Sequence, residues 1–129
     1  MAYAPRILIV DDEPAVRDLF ETVLSQDGYY VTVARTGHQA LLRLHDTAFD
    51  LIVLDVSLQD SDGLQLLSQI RAESPYSKVL MVSGFMASTL HEMAISRGAD
   101  GTLAKPIRPH TLRDAVYRLL DPSCAWHAM

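Results

Sequence analysis

Four short polar segments carry the side chains that could do chemistry, and each directly follows an apolar run. These residues are Asp11 and Asp12 after RILIV, Asp55 after LIVL, Ser83 after KVLMV and Lys105 after GTLA. Carboxylates that lie close together repel one another and need a cation, and hard oxygen ligands with room for water favour Mg²⁺. We therefore predict a magnesium site, provided that the fold brings the carboxylates together.

A carboxylate can also act as a nucleophile towards phosphorus. It then forms an aspartyl phosphate, provided that a metal ion and an ammonium group neutralise the charge on the transferring group. Lys105 fits the ammonium role, and the Ser83 hydroxyl could donate a hydrogen bond to a phosphoryl oxygen. Taken singly, each residue has an ordinary alternative, because Asp and Ser often cap helices and Lys is usually solvated. Their coincidence after four apolar runs favours a shared site.

The apolar runs are typical of strands, and amphipathic segments separate them. The predicted strands are Arg6 to Val10, Tyr30 to Ala34, Leu51 to Leu54, Lys78 to Val82 and Gly101 to Ala104. Apolar residues at three- and four-residue steps predict a helix after each strand. Helix start signals stand at Pro14, Thr36, Gly63 and Pro109, and stop signals at Gly28 and Gly98.

Strands that alternate with helices imply right-handed crossovers and a parallel sheet. The nearly continuous apolar character of the first, third and fourth strands indicates that helices cover both sheet faces. We predict an α/β fold of the doubly wound (βα)5 type, with one domain over residues 1–120 and a short tail over 121–129. In such a sheet the carboxyl ends of the strands share one edge, where ligands bind.

Composition argues against several other classes of protein. The net charge is −5 and no basic run occurs, so we expect no direct contact with nucleic acid. The longest apolar runs are only strand-length, so we expect a cytoplasmic protein without a membrane contact. Cys124 is the only cysteine and cannot form an internal disulfide. Zinc-ligand spacing is absent from the histidines, which are His38, His45, His91, His110 and His127.

Four segments of the sequence resemble the receiver domains of two-component response regulators. They are ILIVDDE, LIVLDVSLQDSDG, VLMVSG and GADGTLAKP, and the resemblance spans residues 6–120. It implies a CheY-like, flavodoxin-like sheet of order 2-1-3-4-5. It also implies Mg²⁺ bound by the side chains of Asp12 and Asp55, by Asp11 either directly or through water, and by the backbone carbonyl of Ser57.

The same resemblance implies a signalling reaction at Asp55. This residue would accept a phosphoryl group from a histidine kinase or a histidine phosphotransfer protein, while Ser83 and Lys105 would contact that group. The peptide bond between Lys105 and Pro106 would be cis. An unknown downstream target would bind the face made by the fourth helix, the fifth strand and the fifth helix. Four residues lie on or near this face, namely Leu90, Met93, Ile107 and Arg108.

Three positions depart from the family pattern. Leu58-Gln59 stands where Met-Pro is common, and this change should leave the chemistry intact. Thr102 stands where many receivers carry a Tyr or Phe that turns inward, so we do not assume an aromatic switch. The loop after Ser83 could report phosphorylation instead, or Phe85 could, although Phe85 could equally be a packing residue. Ser57 and Phe85 tend to flank the path of the attacking water, and because Phe85 cannot orient water we predict slow self-dephosphorylation.

Two other functions are weighed against the phosphorylated receiver. A receiver-like binding module would work without phosphate, but the presence of all key side chains argues against it. A haloacid-dehalogenase-like phosphatase would need a second Asp two residues after Asp55, where Ser57 stands. We therefore predict no enzyme beyond phosphoryl transfer to, and hydrolysis from, Asp55 itself. The sequence is compatible with a stand-alone receiver and with a part of a larger regulator or hybrid kinase.

Overall fold

Five strands alternate with five helices in the structure, a computed structural model that describes residues 4–121. The strands are β1 (Arg6–Val10), β2 (Tyr30–Ala34), β3 (Leu51–Asp55), β4 (Lys78–Ser83) and β5 (Gly101–Ala104). The helices are α1 (Pro14–Gln26), α2 (Gly37–Asp46), α3 (Gly63–Glu73), α4 (Ser88–Ser96) and α5 (Pro109–Leu120). The predicted elements are confirmed, and two strands run one residue further than expected, to Asp55 and Ser83. The tail with Cys124 and Trp126 lies outside the described residues.

All five strands are parallel and lie in the order β2-β1-β3-β4-β5, which confirms the predicted fold. The register aligns the carboxyl ends of the strands. Val10 pairs with Leu54, and Ser83 pairs with Ala104. The residues that end β3 and β4 and those that follow β1 and β5 therefore meet at one edge of the sheet.

Helices cover both faces of the sheet, because the central strands are apolar on both sides. Leu8 and Leu54 pack into one core with α2, α3 and α4, whereas Ile9 and Val53 pack into a second core with α1 and α5. Every residue of β3 is buried. Burial of each of these aliphatic side chains stabilises the folded state by about 1.5–3 kcal/mol. The two cores hold the strand ends in place.

Local signals explain where the helices begin and end. Thr36 caps α2, because its hydroxyl accepts the Gln39 N–H at 3.1 Å. Asp62 caps α3 by accepting the Leu64 N–H at 3.0 Å. Gly28 and Gly98 follow α1 and α4 with positive φ angles of 90° and 107°, which a residue with a Cβ rarely adopts. None of the helices within residues 4–121 is long and apolar enough to cross a membrane.

Candidate metal centre

Three carboxylates meet where β1 and β3 end side by side. Asp11, Asp12 and Asp55 each offer an oxygen, and these oxygens all lie within 4.8 Å of one another. Asp11 and Asp55 are only 1% and 2% exposed, and Asp12 is half-buried. The prediction that the fold brings these carboxylates together is confirmed. Their role as metal ligands stays a prediction.

The Lys105 ammonium joins this group from the end of β5. Its Nζ lies 3.0 Å from Asp11 Oδ2, 3.3 Å from Asp55 Oδ2 and 3.3 Å from Glu13 Oε1. Burial alone would lower the pKa of Lys105, but the hydrogen bond to Asp11 and the charges of Asp11 and Asp55 raise that pKa above its ordinary value. The side chain therefore stays cationic and pairs with both buried carboxylates.

Asp11 has a carboxyl whose pKa is raised above its ordinary value. Burial is the largest cause and the charge of Asp55 adds to it, while the Glu13 N–H and Lys105 act in the opposite direction. The single nearby ammonium thus does not fully offset the cost of ionising Asp11 in this place. A bound cation would favour the ionised form, because metal binding displaces the proton from a ligand.

Each of the three carboxylates accepts a hydrogen bond from a different backbone N–H. The Glu13 N–H binds Asp11 Oδ1 at 2.9 Å, the Ser57 N–H binds Asp55 Oδ1 at 3.0 Å, and the Gln59 N–H binds Asp12 Oδ2 at 3.1 Å. Hydrogen bonds to ionised acceptors are stronger than neutral ones. Each carboxylate keeps further lone pairs for a ligand, because its two oxygens together accept about four hydrogen bonds.

The two serines of the predicted site contact residues of the loops in which they lie. Ser83 is buried, and its hydroxyl donates to the Phe85 carbonyl at 3.1 Å while accepting the Phe85 N–H at 3.1 Å. Ser57 lies in the turn after β3, where it forms an isolated bridge with Asp62. A phosphoryl contact for Ser83 and a metal contact for the Ser57 carbonyl stay predictions. The Lys105–Pro106 peptide bond is cis, as predicted.

Sequence reasoning missed several contacts of this site. Glu13 contacts Lys105, and the acidic run Asp11-Asp12-Glu13 was a signal that could have indicated it. Gln59 acts through its backbone N–H, so its residue type carries no signal. The packing alternative for Phe85 is wrong, because this side chain is 79% exposed.

The residues predicted for the output face differ in how exposed they are. Met93 and Arg108 are exposed and Leu90 is half-buried, whereas Ile107 is buried and offers little to a partner. The Thr102 hydroxyl on β5 forms a hydrogen bond with Nδ1 of His91 on α4. The position at which an aromatic residue is common therefore links two elements of this face.

Comparisons with known proteins agree with this geometry. Residues 7–117 match the family model of the response regulator receiver domain. The chain is 38% identical over 116 residues to the alginate biosynthesis transcriptional regulatory protein AlgB of Pseudomonas putida, which covers 90% of this chain and 26% of that protein. It is 33% identical over 114 residues to the transcriptional regulatory protein TrcR of Mycobacterium tuberculosis, with 88% and 43% covered. The chain thus spans less than half the length of either regulator.

Solved structures of response regulators also match this chain. A response regulator receiver domain protein (CheY-like) from Methanospirillum hungatei JF-1 matches with a TM-score of 0.88 and 32% identity, over 92% of this chain and 95% of that one. NtrX from Brucella abortus matches with a TM-score of 0.88 and 35% identity, over 98% of this chain and 29% of that one. Since the family model also covers nearly all of the sheet and its helices, this chain belongs to the receiver domain family of response regulators.

Proposed function

We propose that Asp55 accepts a phosphoryl group from a histidine kinase or a histidine phosphotransfer protein, with Mg²⁺ bound beside it. The observation that carries this proposal is the placement of Asp55. Its carboxylate is 2% exposed, stands among two further carboxylates and lies 3.3 Å from the Lys105 ammonium. Membership of the receiver family supports the same two-component role.

The residues present fit a hard divalent cation. Three carboxylates face one ammonium, so the group carries excess negative charge in a largely buried place. Mg²⁺ prefers oxygen ligands and keeps several waters. Asp12 and Asp55 would hold it through their side chains, Asp11 directly or through water, and Ser57 through its backbone carbonyl. When bound, the ion supplies neutralisation of charge on the transferring phosphoryl group.

Phosphoryl transfer then needs little more than positioning. A carboxylate oxygen of Asp55 attacks the phosphorus of a phosphohistidine, an O–P bond forms, the P–N bond breaks, and the imidazole leaves with the electron pair. Lys105 offsets the charge from the side of β5, and the Ser57 N–H keeps the carboxylate in place. Because the acceptor is the protein's own residue, the domain is a switch and not a turnover enzyme.

Ser83 offers a route from the phosphoryl group to the output face. Its hydroxyl has one proton, which now binds the Phe85 carbonyl. Donation of that proton to a phosphoryl oxygen would free the Phe85 carbonyl and so loosen the loop after Ser83. The released loop leads directly into α4, which starts at Ser88. We infer that a target protein reads this change on the face made by α4, β5 and α5.

The test is intact-mass analysis after incubation with acetyl phosphate, with and without Mg²⁺. We expect a single Mg²⁺-dependent adduct in the wild type and none in Asp55→Asn. Asp50→Asn is the matched control, because Asp50 precedes β3 at the opposite edge of the sheet and should leave the adduct unchanged. No adduct in folded protein would favour a binding module that works without phosphate. Turnover of phosphate esters would favour the phosphatase alternative.

A further inference from the structure

Asp60 fastens the loop between β3 and α3 to the first turn of α2. Its Oδ1 accepts the Gly37 N–H at 2.9 Å, and its Oδ2 accepts the His38 N–H at 3.2 Å. The first amides of a helix have no partner within the helix, so a carboxylate from elsewhere can bind them. The hydrogen bond from Gly37 is the largest cause that lowers the pKa of Asp60, so the carboxylate is ionised at neutral pH.

The loop and the helix approach each other closely at this clamp. Gly37 is buried, and a Cβ at that position would collide with the Ser61 side chain. Glycine therefore allows the loop to lie against the helix backbone. The contact joins parts of the chain that are 22 and 23 residues apart, so it is not a local cap.

The clamp lies beside the backbone that serves the candidate metal centre. Asp60 directly follows Gln59, whose N–H binds Asp12 Oδ2 at 3.1 Å. Ser57, whose N–H binds Asp55 at 3.0 Å, belongs to the same short loop. Movement of this loop away from α2 would withdraw the Gln59 N–H from Asp12. The two carboxylate bonds of Asp60 oppose that movement.

We propose that Asp60 is a positioning residue that sets the Mg²⁺ affinity of the site by clamping the loop over residues 57–62 to α2. It acts through Gln59, which orients the carboxylate of Asp12. This inference rests on the proposed function, since it concerns the same metal site. Groups that orient metal ligands typically change metal affinity by about 10- to 100-fold when they are removed.

The first measurement is a calorimetric Mg²⁺ titration of the full chain, with urea unfolding in parallel. We expect Asp60→Ala to raise the Kd for Mg²⁺ by about tenfold. Asp60→Asn should have a smaller effect, because its amide oxygen still accepts one N–H. The matched control is Thr36→Ala, which removes a local cap from the same helix end. This control should lower stability and leave the Kd unchanged.

The second measurement is amide hydrogen exchange at Gln59 in the absence of Mg²⁺. Exchange should be faster in Asp60→Ala than in the wild type, and unchanged in Thr36→Ala. The inference is overturned if Asp60→Ala binds Mg²⁺ as the wild type does, or if Thr36→Ala weakens binding equally. If Asp60→Ala does not fold, Asp60→Asn decides by the same criteria. A wild type that binds no Mg²⁺ would contradict the proposed function, whereas the exchange experiment would still test the clamp.

Discussion

At the scale of single residues, the charge of Asp11 lowers the stability of the folded protein. Burial raises the pKa of this carboxyl above its ordinary value of 3.8. The folded state therefore binds the proton more tightly than the unfolded state does. Between 3.8 and the folded pKa, the free energy of unfolding falls as pH rises. Ionised Asp11 thus destabilises the metal-free protein at neutral pH.

We expect Asp11→Asn to be more stable than the wild type at pH 7 without Mg²⁺, by urea unfolding. The difference should shrink as the pH is lowered, because the wild-type carboxyl then becomes neutral. The Asn side-chain oxygen can still accept the Glu13 N–H that Asp11 Oδ1 binds. Added Mg²⁺ should stabilise the wild type more than the variant, since a ligand stabilises only the state that binds it. A variant that is less stable at pH 7 would contradict this account.

Phe85 should make the phosphorylated state long-lived. Its aromatic ring is exposed and can neither orient nor activate the attacking water. We expect the phosphorylated protein to persist well beyond seconds at room temperature, and Phe85→Asn to shorten its lifetime. Intact mass followed over time measures both. A wild-type half-life of seconds would show that Phe85 does not limit hydrolysis.

At the scale of elements, Gly63 allows α3 to start directly beside the loop after β3. A Cβ at Gly63 would lie 2.5 Å from the Cα and the carbonyl oxygen of Val56, and backbone atoms cannot move aside as a side-chain end can. We expect Gly63→Ala to lower the free energy of unfolding by about 1–3 kcal/mol in urea.

The control for this prediction is Gly84→Ala. A Cβ at Gly84 would meet no atom within 4 Å, and the φ angle of Gly84 is not positive. Gly84→Ala should change the free energy of unfolding by no more than about 0.5 kcal/mol, as most surface substitutions do. Equal stability of the two variants would refute the steric argument at Gly63.

The hydrogen bond between His91 and Thr102 ties α4 to β5 at the predicted output face. Thr102→Val keeps the shape of the side chain and removes the hydroxyl. We expect amide exchange in α4 to become faster, with a loss of global stability below about 1 kcal/mol because both residues reach the surface. Thr32→Val on β2 is the control and should leave α4 exchange unchanged. Unaltered α4 exchange in Thr102→Val would mean that other contacts hold the helix.

The sequence predicts elements better than it predicts contacts between them. Pro14 and Gly28 bracket α1, and the unbroken apolar run of β3 indicates a strand buried on both faces. The order of the strands came from the family resemblance, because apolar patterns show burial and not neighbours. The clamp at Asp60 could not be predicted, since its partners are backbone amides and nearly every residue type carries one.

At the scale of the whole molecule, the sheet brings residues that are far apart in sequence together in one site. Asp11 and Lys105 are 94 residues apart in sequence, and their charged atoms lie 3.0 Å apart. Two cores, one on each face, fix the strands that carry them. The carboxyl edge of the sheet can therefore hold the buried charge of Asp11, which lowers folding stability, because the apolar faces supply the stability.

The most direct test of the central claim is the chemical identity of the phosphorylated residue. The wild type is phosphorylated with acetyl phosphate and Mg²⁺, reduced with borohydride, digested and sequenced by mass spectrometry. An acyl phosphate at Asp55 is reduced to an alcohol, so we expect homoserine at position 55 and unmodified Asp11 and Asp12. Reduction at another carboxylate, or at none in a folded protein that carries an adduct, would contradict the assignment of Asp55 as the phosphoryl acceptor.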